Sequence, residues 1–109
     1  MDLHQLEYIL TIEQEKSISR AAERLFLTQP ALNQQLLRLE KELGTPLFER
    51  RNRTMLPTYA GRIYLNTAKE MLSMKKETYK MIHDIAEERR GEISIAYTPE
   101  AGSRMFAKI

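Results

Sequence analysis

From Thr58 to Arg90 the chain carries no proline and a single glycine, Gly61, and nothing else in the sequence restricts its fold so strongly. The Thr58 hydroxyl can cap the start of this stretch, and the composition that follows favours helix. At about 1.5 Å per residue such a helix is roughly 50 Å long, more than a small domain needs. Leu65, Ala68, Leu72, Tyr79, Ile82 and Ala86 recur three and four residues apart, with Lys75 the break in the series. That stripe predicts a partner helix along most of its length. Tyr64 and Leu65 near the start can pack back on their own domain. Farther along, residues 1–57 are already committed, so a second copy of the chain is the simplest partner. Met71, Met74 and Met81 read as pliant filler of that interface rather than as a ligand box.

Three shorter helices are predicted upstream. Leu3, Leu6, Ile9 and Leu10 recur at helical spacing over residues 3–14, with Asp2 placed to cap them. The polar segment from Glu13 to Ser19 interrupts the pattern. A second helix is predicted from about Arg20 to Phe26, capped by Ser19, with Ala21 and Ala22 small enough for another helix to approach and Phe26 in the core. Thr28 caps a third, in which Pro30 occupies the first turn, where its missing N–H costs nothing. Leu32, Leu36, Leu39 and Leu43 line one face of it, and Gly44 stops it.

An amphipathic helix followed by two helices joined by a short turn is the layout of a helix-turn-helix module, and the third helix is then the reading helix. At 100° per residue the leucines turn inward and Pro30, Gln34, Arg38 and Lys41 outward, flanked by Ala31 and Asn33. No acidic residue lies between Thr28 and Leu39. A merely solvated face usually mixes Glu with Lys, whereas Gln29, Asn33 and Gln34 are uncharged amides suited to hydrogen bonding. Such amides can pair with the N6 and N7 edge of adenine, and Ala31 can meet a thymine methyl. Arg38 is assigned to phosphate contact, with pairing to a nearby carboxylate as the alternative.

The overall charge of +2 says little about a nucleic-acid partner, but its distribution says more. Residues 1–57 balance 8 basic against 8 acidic side chains, yet Arg50, Arg51 and Arg53 cluster with only Glu49 nearby. The segment Thr45–Pro57 reads as a two-stranded wing anchored by Leu47 and Phe48 on one arm and Met55 and Leu56 on the other, with the arginines near its tip. Arginine there can reach phosphates or a narrow minor groove. Beyond Gly91, Glu92 to Tyr97 alternate as a strand would, which predicts the opening of a further domain over residues 91–109.

The remaining chemistry is excluded rather than indicated. Hydrophobic residues make up 42% and charged ones 29% of the 109, a soluble and ordered composition. No apolar run is long enough to span a bilayer, and the N-terminus is too polar for a secretory signal, so a cytoplasmic protein without membrane contact is expected. Cysteine is absent, His4 and His83 are too far apart for a metal pair, and no nucleophile with a base is discernible. Neither catalytic nor metal-ligating residues are therefore assigned, and no cofactor is expected in this stretch.

The order and spacing of Leu6, Tyr8, Ser17, Ala21-Ala22, Leu25, Thr28-Gln29-Pro30-Ala31, Gln35, Leu39-Glu40, Leu43-Gly44, Leu47-Phe48, Arg50 and Ala60-Gly61 resemble the N-terminal part of the bacterial LysR-type transcriptional regulators. The resemblance covers about residues 2–90. It implies a mainly α fold: a winged helix-turn-helix over residues 1–57, a long dimerising linker helix over 58–90, and the start of a truncated effector-binding domain over 91–109. It further implies DNA contacts by Thr28, Gln29, Pro30, Ala31, Asn33 and Gln34, and a wing role for Arg50 and Arg53. Double-stranded DNA and a second copy are the implied partners, with a tetramer possible for the full-length protein and a small-molecule effector held by the domain not included. Lys16 stands where the family often has glycine, Ile18 where it has an aromatic, Asn33 where it has serine, and Pro57 where it has leucine. The rival reading is a protein-interaction module in which the long helix drives coiled-coil assembly.

Overall fold

The structure is a computed structural model and describes residues 1–95. Helix α1 (Leu3–Glu15) opens on a capping box: the Asp2 carboxylate accepts from the His4 N–H at 2.9 Å, while the Gln5 side chain reaches back to the Asp2 N–H. It ends at Lys16, whose φ of 57° is left-handed and whose N–H returns to the Ile12 carbonyl at 2.8 Å. Lys16 thus adopts the conformation for which glycine is best suited.

Helix α2 (Ile18–Arg24) starts earlier than the sequence pattern predicts. Its cap is Ser17, not Ser19, because Ser17 is the first extended residue after the left-handed Lys16 and accepts from the Arg20 N–H at 3.2 Å. The helix closes in a Schellman arrangement, Phe26 N–H to Glu23 O at 3.2 Å and Leu27 N–H to Ala22 O at 2.9 Å. Phe26 takes the left-handed position of that motif, φ 58°, and the chain reversal turns its side chain outward. It is 96% exposed, so the expectation of a core phenylalanine is overturned.

Helix α3 (Gln29–Leu43) begins where Thr28 caps it, Ala31 N–H to Oγ1 at 3.2 Å, and stops at Gly44 with φ 82°. Leu32, Leu36 and Leu39 are buried as their spacing requires, but Leu43 is 46% exposed. It lies on the last turn, where it lines an open apolar recess with Leu47, Ile63 and Tyr64 instead of a closed core. Strands β1 (Phe48–Arg51) and β2 (Thr54–Pro57) pair antiparallel as the predicted wing. Asn52 and Arg53 between them have φ of 50° and 63°, the two left-handed residues of a type I′ hairpin turn.

Helix α4 runs from Tyr59 to Ile95. Its cap is the predicted one: Thr58 Oγ1 accepts from the Gly61 N–H at 3.0 Å and donates to the Pro46 carbonyl at 2.7 Å. The helix includes Glu92–Ile95, where a strand is expected from the sequence. An isolated strand leaves its ladder groups unpaired, whereas a continuing helix satisfies them internally, so the local choice falls to helix. The rest of that predicted strand, and of the segment 91–109, lies outside the described residues. Among the described residues no helix is long and apolar enough to cross a membrane.

Residues 1–72 form one compact unit. Its core joins Leu6, Ile9 and Ile12 of α1, Ala21 and Ala22 of α2, the α3 leucines, Leu47, Phe48 and Met55 of the wing, and Tyr64, Leu65 and Ala68 of α4. Leu65 and Ala68, at 1% and 0% exposure, are spent inside their own unit, and Met71 and Leu72 pack half-buried against it. The first two positions of the predicted dimer stripe are therefore corrected to core: the residues before Thr58 leave a side of that core open, and the first turns of α4 close it. Lys69 adds an ion pair to Glu13 at 3.2 Å. In the second unit, from Ser73 onward, Met74, Tyr79, Met81, Ile82 and Ile85 are exposed and Ala86 is partly so.

Candidate nucleic-acid interface

The start of α3 is presented because the capped Thr28 and the Pro30 in its first turn need no partner from the rest of the unit. Thr28, Gln29, Pro30, Gln34 and Arg38 are exposed, while Ala31 and Asn33 are half-buried at the edge of the leucine face. Helical geometry accounts for positions 30 and 34, which lie away from Leu32 and Leu36, whereas Gln29, seven residues before Leu36, shares the leucine phase and is exposed as the first residue of the helix. Arg38 makes no ion pair among the described residues, so the alternative of pairing with a neighbouring carboxylate is not what the structure shows.

The wing sorts its arginines by the two-residue period of a strand. Phe48 is buried and Arg50 follows on the same face, paired in register with the buried Met55. Glu49 and Arg51 share the other face and pair with each other at 3.1 Å. Arg53 stands in the tight turn itself. The three arginines are consequently unequal, and only Arg50 and Arg53 face the same recess, a space of about 400 Å³ also lined by Ser17, Ile18, Ser19, Gln29 and Met55.

Two contacts hold wing and helices in this relation. The Met55 N–H donates to the Lys16 carbonyl at 3.0 Å, fastening β2 to the loop before α2. Glu40 of α3 accepts from the Leu47 N–H at 2.6 Å and the Phe48 N–H at 3.4 Å, fixing the chain as it enters β1. A third contact joins side chains, Arg50 Nη2 donating to Asn33 Oδ1 at 3.4 Å. The geometry thus brings together Gln29, Asn33, Arg50 and Arg53, while Arg38 lies farther along α3 and lines none of this recess.

Ser17 and Ser19 were not among the predicted contact residues. Their hydroxyls lie 3.1 Å apart at the recess, one of them the α2 cap. The signal that points to them is the extended polar step between two helical patterns, which predicts a cap and hence an exposed hydroxyl. Among the described residues no cluster of His, Cys, Asp or Glu is placed to hold a metal ion. A donor-rich recess of guanidinium, amide and hydroxyl groups, beside an uncharged helix start, is suited to a polyanion whose interior offers hydrogen-bonding edges.

Residues 3–62 match the sequence profile of the bacterial regulatory helix-turn-helix protein, lysR family. The chain is 37% identical, over its whole length, to the HTH-type transcriptional regulator BsdA of Bacillus subtilis, of which it spans 38%. It is also 37% identical over 90% of its length to the HTH-type transcriptional regulator BudR of Klebsiella aerogenes, spanning 68% of that protein. Among solved structures, the BenM DBD in complex with catB site 1 DNA superposes with a TM-score of 0.73 at 35% identity, over 79% of this chain and 96% of that one. The CbnR DBD–DNA complex gives 0.70 at 30% identity, over 79% and 99% respectively.

Proposed function

Because the chain belongs to the lysR family of bacterial helix-turn-helix regulators, we propose that it binds double-stranded DNA sequence-specifically, as the DNA-binding part of a transcriptional regulator. The observation that carries this is the convergence of Arg50 and Arg53 with Gln29 on one recess beside the exposed start of α3. Thr28, Gln29, Pro30, Ala31, Asn33 and Gln34 enter the major groove, and the amides select bases. Arg50 and Arg53 hold the backbone or the adjacent minor groove, and Arg38 takes a phosphate farther along. Phosphate contacts supply most of the affinity and make it fall with salt.

The family is one of regulators rather than enzymes. We place the working assembly as a two-fold dimer formed through α4, reading an inverted repeat, one half-site per copy. The exposed Tyr79 and Ile82, continued by Ala86, support this as the contact stripe. In the cytoplasm, the full-length protein would answer to a small-molecule effector bound in the part of its relatives' length that this chain does not span, and it could assemble further to a tetramer.

Selection from a random duplex library at two salt concentrations tests the reading. An inverted repeat, enriched more weakly at higher salt, is the expected result. No retained DNA even at low salt would move the assignment to a protein-interaction module. Ile82→Glu should shift the chain toward monomer in sedimentation, and an undiminished dimer would place the interface elsewhere.

A further inference from the structure

Asn33 stands where the helix meets the wing, half-buried, with its Oδ1 accepting from Arg50 Nη2 at 3.4 Å. Among the described residues this is the one hydrogen bond between a side chain of α3 and a side chain of the wing. Resting on the DNA-binding reading, we infer that Arg50 fixes Asn33 as a hydrogen-bond donor toward DNA, so that this position selects guanine over adenine.

The planar carbamoyl group of asparagine carries its acceptor oxygen and its NH2 on opposite branches. An asparagine that reads adenine must use both, accepting from N6 and donating to N7. Here the oxygen already faces a guanidinium. The donor is cationic, so the N6 amino group of adenine has to compete with it for the same atom. Holding the oxygen toward the wing turns the NH2 the other way, and the adjacent cation makes that NH2 a better donor. Guanine offers N7 and O6 side by side, both acceptors, where adenine offers one acceptor beside a donor. Arg50 is therefore a positioning residue for Asn33, in addition to any contact its remaining N–H groups make with phosphate.

The test is the library selection repeated with Asn33→Ala, Asn33→Asp and Arg50→Met. The step read by Asn33 is the one whose enrichment collapses in Asn33→Ala. At that step the unaltered chain should favour a G·C pair over A·T by about fivefold, the worth of one net hydrogen bond. Arg50→Met should bring that ratio within about twofold of unity or shift it to adenine, as the freed oxygen allows the two-bond pairing. Asn33→Asp keeps the acceptor and lacks the donor, and should lose the guanine preference. Adenine at that step in the unaltered chain, guanine retained by Asn33→Asp or Arg50→Met, or no step responding to Asn33→Ala would each overturn the inference while leaving DNA binding intact. If Arg50→Met retains too little DNA to sequence, the other two proteins decide. Failure of the unaltered chain to retain any duplex would instead overturn the DNA-binding reading, and this inference with it.

Discussion

The backbone of Gly61 lies so close to the carbonyl of Leu47 that a β-carbon at position 61 would overlap that oxygen. The same carbonyl accepts the Thr58 N–H at 2.9 Å, so it cannot move away without giving up the bond that seats α4 beside the wing. In an exposed helix, replacing glycine with alanine stabilises by about 1 kcal/mol. Here the steric term wins. Gly61→Ala is expected to destabilise residues 1–72 by about 2 kcal/mol, read as a lower urea midpoint. A midpoint unchanged or raised would show that the contact yields cheaply.

Phe26 argues in the opposite direction. A side chain in left-handed backbone costs about 1–2 kcal/mol, and this one recovers little by burial, being 96% exposed. Glycine removes that cost but gives the unfolded chain about 0.4–1 kcal/mol of extra entropy. Phe26→Gly should therefore be stabilising by about 0.5 kcal/mol in denaturant titration. A loss of stability would mean that the ring packs in solution.

Tyr64 carries a buried hydroxyl with no hydrogen-bond partner among the described residues. Burial, with the Glu42 and Asp2 carboxylates adding, pushes the phenol above its ordinary value. Above about pH 10 the unfolded chain loses this proton while the folded one keeps it, so Tyr64 makes stability fall as pH rises through the ordinary tyrosine range toward the raised value. Tyr64→Phe should remove that contribution, flattening the urea midpoint between pH 8 and pH 11. At neutral pH it should also add about 1 kcal/mol by deleting the orphaned group. A variant less stable than the parent at pH 8 would contradict this.

The unequal wing arginines make a prediction about DNA. Arg53→Ala should weaken duplex binding about tenfold and lower the magnitude of the salt slope by about one. Arg51, engaged by Glu49 at 3.1 Å on the other face, should tolerate alanine within about twofold. Equal losses from both would mean that the wing twists on binding.

Much of this architecture was legible because single residues mark ends. Thr28, Pro30 and Gly44 bound α3, and Thr58 bounds α4, each by local hydrogen bonding that needs no knowledge of the rest. What was not legible depends on the third dimension. Phe26 looks like core by hydrophobicity, and only the Schellman closure of α2 turns it out. Leu65 and Ala68 fit a heptad as well as they fit a domain core, and their period cannot say which surface reaches them first. Pro30 and Gln34 follow from helical phase and Gln29 from its place at the helix start, but the Asn33–Arg50 contact spans residues far apart in sequence and carries no periodic trace. Nor does sequence distinguish Arg51 from its neighbours until the strand register is known.

The bond from the Met55 N–H to the Lys16 carbonyl is made wholly of main-chain atoms. Replacing either side chain leaves its donor and acceptor in place, with proline at position 55 the exception. The side chains at the wing tip and on the exposed face of α3 can therefore be exchanged without loosening the joint beneath them, which separates what the unit displays from what holds it together.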